Sequence, residues 1–276
     1  EEGEQADIQS EPDSEESEAG DAEDEELPEG LSYVGQAAAE VLTSKHPQYR
    51  NVCWNITHGR TVGEIAQTPP GGYWKDDQIT DDIETAHSDS FPEKMAEIMS
   101  SASEWVDFTS LGAPDGKFLE SMAKALKSLS DSGNSVTVRI LTGNIIGMPT
   151  DNCALLEKLT KFPGFELPED TAIRVWVGSW RKGLSWNHAK IVAADGQRLF
   201  TGGHNVWDPH YLQKNPVRDL SMEAEGQVAQ DGHVFANRMW RYIIKKDKQY
   251  WEAKGMPGWV PTIRKGRVSV CRFPRE

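Results

Sequence analysis

The chain has 276 residues, enough for one large core or two small ones, and a formal net charge of −15, which by itself argues against nucleic acid as a partner. Fifteen Asp and Glu with no Lys or Arg fall within residues 1–30, leaving 29 acids against 29 bases in a neutral body that neither demands nor excludes a phosphate-bearing partner. Cys53, Cys153 and Cys271 are too scattered for a disulfide framework or a zinc site, though one bridge is open to them, and no apolar run approaches the ~18 to 20 residues that cross a bilayer.

Residues 1–30 have the high charge and low apolar content of a disordered tail. Gly35 to Leu42 is Ala-rich and predicts a helix ended by Lys45 to Pro47, and Val52 to Thr57 predicts a strand. Asn55-Ile56-Thr57 is a glycosylation sequon that fits secretion. Thr68-Pro69-Pro70-Gly71-Gly72 predicts a loop. Ser90 can cap a helix with Pro92 in its first turn and an apolar stripe at Met95, Ile98 and Met99. Trp105 to Leu111 reads as a strand and Gly112 to Gly116 as a turn. Phe118, Met122, Ala125, Leu126 and Leu129 mark an amphipathic helix closed by Gly133, and Val136 to Leu141 is β-branched enough for a strand. A helix over Cys153 to Phe162 and a strand over Ile173 to Val177 follow. Val217 to Ala224 alternates as a strand, Gln227 to Tyr242 has helical periodicity, and Gly266 to Val270 reads as a strand that begins just as the sequence stops. Strands alternating with helices predict an α/β fold with a mixed sheet flanked by helices.

Between the last two groups lies the stretch on which the chemistry turns, Trp186 to Tyr211. Period-two alternation puts His188 and Lys190 on one face, so a nucleophile and a cation sit together. Ile191 to Ala194, the turn Asp195-Gly196 and Arg198 to Thr201 form a hairpin. Gly202 and Gly203 let the backbone bend closely past a bound group, and Asn205 offers an amide just beyond. Taken alone, His188 is as readily a satisfied hairpin histidine, and Trp207 and Tyr211 as readily core.

His188-x-Lys190-x-x-x-x-Asp195 followed by Gly202-Gly203-x-Asn205 resembles the HKD motif of the phospholipase D superfamily. The longer string, from Ser185-Trp186-Asn187-His188 through Trp207 and Tyr211-Leu212 to Pro216-Val217 and Asp219, is most similar to the N-terminal half of the secreted actinobacterial type. The resemblance implies a single lobe over residues 31–246, a linker and the start of a second lobe over 247–276, opened by the strand at Gly266 to Val270, and an extracellular location. Tyr73-Trp74-Lys75-Asp76-Asp77 has a counterpart in the family that is flanked by cysteines lacking here.

By that resemblance His188 attacks phosphorus to give a phosphohistidine, with no metal or other cofactor. Lys190 and Asn205 stabilise the crowded phosphoryl oxygens. Asp219 pairs with the nucleophile and fixes its tautomer, while Asp195, seven residues on, holds the hairpin. Trp207 and Tyr211 line a choline-type headgroup pocket. None of His46, His58, His87, His204, His210 and His233 has a Lys two places on and an Asp five after that. The leaving-group acid is therefore expected from a second lobe or a second copy. The implied activity is a phosphodiesterase or phosphatidyl transferase on phospholipid, touching a membrane surface transiently. The alternatives are a lobe that only binds a phosphorylated ligand or a partner, and a homodimeric nuclease, which the absence of a basic stripe disfavours.

Overall fold

The computed structural model of the chain describes residues 29–50, 54–57, 59–68, 86–212, 216–252 and 270–274. The acidic tail up to residue 28, the segment 69–85 that holds the expected loop and Tyr73-Trp74, and residues 253–269 lie outside them. The described residues fall into two compact units, one ending at Ile56 and one beginning at Thr57.

In the first unit, helix α1 (Tyr33–Lys45) starts where the Ser32 hydroxyl accepts a hydrogen bond from the Gly35 amide and passes into a 3-10 turn at Pro47–Tyr49. Of the strand expected over Val52 to Thr57, the described residues 54–57 show only an isolated bridge of Trp54 with Arg50, and the Trp54 indole N–H donates to the His46 carbonyl.

The second unit contains strands β1 (Gly59–Thr68), β2 (Trp105–Thr109), β3 (Thr137–Gly143), β4 (Arg174–Lys182), β5 (Ser185–Trp186), β6 (Ile191–Ala194), β7 (Arg198–Gly202), β8 (Asp219–Gly226) and β9 (Val270–Phe273). Interspersed are α2 (Ala86–Ser100), α3 (Gly116–Asp131), α4 (Asn152–Thr160), the short α5 (Asp208–Tyr211) and α6 (Gln227–Glu252). The sheet order is β1-β8-β7-β6-β2-β3-β4-β5, with β9 paired to β4. Strands β2, β3 and β4 are parallel, and the rest of the ladder is antiparallel, so the sheet is mixed as expected.

Phe118, Met122, Leu126 and Leu129 of α3 are each at most 1% exposed against Val106, Phe108, Val138 and Ile140 of the sheet. Each such side chain contributes about 1.5 to 3 kcal/mol when removed from water. Trp240 and Ile243 of α6 pack elsewhere on the sheet, with Leu141 and Val270. Buried Asp107 ties α6 down: its carboxylate accepts two hydrogen bonds from Arg139, at 2.7 Å each, and one from His233 at 2.6 Å.

Two differences from the sequence reading have clear causes. The helix expected to start at Ser90 begins at Ala86, with Pro92 inside it. Strand β1 was not foreseen, because its residues are mostly exposed and Gly63 and a register shift between Val62 and Ala66 break the alternation. It is held by pairing with β8. The strand expected at 266–270 to open a second lobe instead belongs to this unit: the described residues show β9 at Val270–Phe273, paired with β4. A disulfide from Cys153 on α4 to Cys271 fastens it there.

Candidate active site

The parallel strands β2, β3 and β4 end together at one edge of the sheet, and β6 begins there because Ile191 pairs with Thr109. His188 and Lys190 lie in the segment that climbs from β5 into β6. That segment is not regular strand, so its backbone groups need other partners, and side chains from neighbouring strands supply them. Buried Asn187 donates through its amide to the carbonyl of Ser110, 2.8 Å away. Its own Oδ1 accepts from the Ala189 amide. The Thr109 hydroxyl donates to the Ala189 carbonyl at 3.0 Å, and the Thr201 hydroxyl to the Lys190 carbonyl at 2.8 Å. Gly143 lets this segment approach, since a Cβ there would press on the carbonyls of Leu111 and Asn187. Asn187, Thr109 and Gly143 are positioning residues the sequence reading missed. Asn187 beside the histidine was the one local signal.

His188 is exposed, and the Lys190 ammonium lies 3.1 Å from its Nδ1 while donating to the His188 carbonyl at 2.6 Å. Partial burial and then the Lys190 charge hold the imidazole below its ordinary value, so it is neutral at pH 7. Burial also lowers the Lys190 ammonium, partly offset by the Asp219 carboxylate.

Asp219, at the start of β8, is tied to Asn205 through Tyr211. The Tyr211 hydroxyl donates to Asp219 Oδ2 at 2.9 Å and accepts from the Asn205 amide at 3.0 Å. Burial, with the Asp219 carboxylate adding to it, pushes the phenol up to about 12. Among the described residues, Asn205 Oδ1 is buried with no hydrogen-bond partner. Beneath lies His204, 3% exposed, between the Thr68 and Ser221 hydroxyls. Thr68 donates its proton to the Val217 carbonyl, so the His204 Nε2–H must donate to Thr68 and Nδ1 must accept from Ser221. Burial lowers this imidazole to about 4.

The loop carrying Trp207 is fixed by reciprocal capping. Asp208 accepts hydrogen bonds from the Lys117 and Phe118 amides at the start of α3, and Asp115 accepts from the Asp208 amide. The Trp207 indole N–H donates to the Ala113 carbonyl, and its ring lies where a side chain at Gly112 would be. One wall of a groove of about 400 Å³ is this ring, with Ile145, Met148, Pro149, Leu155 and Lys158 also lining it. A larger concavity, about 600 Å³, lies between α2 and α3 among Glu93, Glu97, Lys117 and Lys124, and neither hollow is lined by His188 or Lys190 themselves. The smaller groove is the one at the strand ends, where ligands of open α/β sheets bind.

No family model matches the chain. A phospholipase D from Streptomyces antibioticus is 30% identical over 216 residues, which is 74% of this chain and 38% of that protein. The chain belongs to the phospholipase D superfamily. It spans well under half the length of that relative. Among solved structures it is similar to NucT from Helicobacter pylori, at 12% identity over 67% of this chain and 97% of that one, with a TM-score of 0.42. It is also similar to Nuc from Salmonella typhimurium, a phospholipase D family member, at 10% identity over 67% and 95% of the two chains, again with a TM-score of 0.42.

Against the phospholipase D reading of the sequence, several residues take different places. No hydrogen bond joins Asp219 to His188, whose ring contacts Lys190 instead. Tyr211 is 1% exposed and packs on Phe91, Phe118 and His204, so it holds Asp219 and Asn205 and cannot line a headgroup pocket. Trp207 does face a groove. Gly202 and Gly203 make room for β8: a Cβ would overlap Leu220 and Ser221 at the first and the Asp219 carboxylate at the second. Asp195, at φ +51° in the hairpin turn, was expected to hold the hairpin, and its carboxylate instead reaches the neighbouring entry to β2. Its carboxylate accepts from the amides of Ser103, Glu104 and Trp105 and from the Ser103 hydroxyl, pinning the approach to β2. Burial opposes its ionisation, but these bonds outweigh it and keep the carboxyl below its usual range. At the far end of β6, it acts only on the sheet that carries the site. Among the described residues no cluster of His, Cys, Asp and Glu could hold a metal ion.

Proposed function

We propose that this lobe carries the nucleophile of a phospholipase D-type phosphodiesterase or phosphatidyl transferase acting on phospholipid, phosphatidylcholine being the expected substrate. The observation that carries it is a neutral, exposed imidazole in contact with a lysine ammonium at the open ends of parallel strands. His188 Nε2 attacks phosphorus and the bond to the headgroup oxygen breaks. The leaving oxygen takes a proton from an acid supplied by a second lobe or a second copy. Water or an alcohol then displaces the histidine, giving phosphatidic acid or a new phosphatidyl ester.

In the resting arrangement Lys190 donates toward Nδ1, so the neutral ring carries its proton on Nε2 and is not ready to attack. An incoming phosphate diester offers Lys190 a better acceptor. Asp219, already close enough to influence Lys190, then becomes the acceptor for Nδ1–H and frees Nε2. Asn205 donates its side-chain amide to a phosphoryl oxygen, while the groove beside Trp207 receives the organic part of the substrate. An extracellular location is supported by the Cys153–Cys271 bridge, since such bonds persist in oxidising compartments.

The test is rapid quenching of the complete protein turning over phosphatidylcholine, with acid-labile phosphohistidine as the readout. His188→Asn should abolish the phosphoenzyme while leaving the fold intact. A His188→Asn protein that still accumulates it on this lobe would show that the nucleophile lies elsewhere.

A further inference from the structure

Two tight turns stand at the same strand-end edge from which the His188 segment rises, and both present large apolar side chains to solvent. The first follows β3, where Ile145 bridges back to Met148 across Gly147 at φ +85°, leaving Ile146 50% and Met148 70% exposed. The second joins β4 to β5, where Lys182 pairs with Ser185 around Gly183 at φ +58°, leaving Leu184 83% exposed. Backbone pairing closes both turns, so these side chains are held outward. Because Gly143 pairs with Trp180, the β4–β5 hairpin projects past the end of β3 on the side from which His188 emerges.

Leu184 is flanked by Arg181 and Lys182, neither of which forms an ion pair among the described residues, and Lys158 is exposed beside Met148. Exposed aliphatic tips with unpaired cations behind them match a bilayer surface, where acyl chains lie deeper than the phosphates. We propose that the Ile146 and Leu184 tips insert into the surface of a phospholipid bilayer containing anionic lipid. Arg181 and Lys182 engage headgroup phosphates, and His188 with Lys190 comes to rest at the depth of the scissile phosphodiester. This docking surface rests on the phospholipid reading above, and it explains how a body with no net charge, outside its acidic tail, is held at a membrane.

The experiment is co-sedimentation of the 276-residue chain with vesicles of phosphatidylcholine and phosphatidylglycerol, which needs no turnover. The double variant Ile146→Asp/Leu184→Asp should bind at least about tenfold more weakly, as apolar insertion is lost. Arg181→Glu/Lys182→Glu should lose about tenfold or more and most of its salt dependence. Val234→Asp, on the second turn of α6, which starts from the opposite sheet edge, should bind as the parent does. Circular dichroism of each variant checks folding. Parental vesicle binding by the folded Ile146→Asp/Leu184→Asp protein would overturn the proposal. So would binding of the parent chain to single-stranded DNA in place of vesicles, or a dimer by light scattering that this double variant dissociates. A complete protein that binds vesicles through these residues yet hydrolyses no phosphodiester would defeat the functional reading and leave the docking surface standing.

Discussion

Acid should unfold this protein partly through His204, the buried imidazole beneath the site. Its value falls from 6.5 to about 4 in the fold, so the unfolded chain binds the proton more tightly. A depressed folded value means the stabilisation is complete above pH 6.5 and is lost as pH falls from 6.5 toward 4. For a shift of this size the loss is about 1.4 kcal/mol at pH 5.5 and about 2.5 kcal/mol at pH 4.5. The two groups that touch the ring are neutral hydroxyls, Thr68 and Ser221, and the Asp219 carboxylate offsets only part of the cost of burying the new charge. The assay is urea unfolding followed by tryptophan fluorescence at pH 7.5 and 4.5, for the parent chain and His204→Gln. The variant starts less stable, since glutamine packs imperfectly between Phe91 and Tyr211, but its stability should fall by about 2.5 kcal/mol less over the same interval. Parallel pH profiles for the two proteins would refute the reasoning.

Lys190→Met removes the cation beside His188, so the imidazole should titrate closer to 6.5, as followed by the NMR shift of its ring proton. In the complete protein the acid limb of kcat/KM should move up with it. Tyr211→Phe leaves the Asp219 carboxylate without its buried donor and should cost roughly 1.5 to 3 kcal/mol in urea unfolding, the range for a hydrogen bond to a charged group. Reducing Cys153–Cys271 opens a loop of sequence separation 118 and should cost up to about 5 kcal/mol, read as a lower unfolding midpoint with dithiothreitol. If the proposed two-lobe reading holds, the 276-residue chain alone should hydrolyse phosphatidylcholine at least about 10² to 10⁴ times more slowly than when a second lobe supplies the leaving-group acid. Comparable rates would show that the acid is on this lobe.

The sequence by itself determined the elements whose own residues pay for their burial, and the local geometry of the motif. The stripe of Phe118, Met122, Leu126 and Leu129 could face a core only as a helix, and Val136 to Leu141 only as an inner strand. His188 and Lys190 meet because residues two apart in extended backbone share a side, whether or not a strand is formed. What lay beyond local pattern was every decision that joins distant segments. Strand β1 owes its existence to the β8 edge, not to its own mostly exposed residues. Gly203 is needed because Asp219 packs on it, and that neighbour lies sixteen residues away. Tyr211, read as a ligand-facing aromatic, turns inward because the space between Phe91 and Phe118 and the two partners for its hydroxyl exist only after the sheet has closed. Asp195 leaves its hairpin for three amides about ninety residues earlier in the chain. A side chain's spacing fixes which way it can point, but only the packed sheet decides what it meets there.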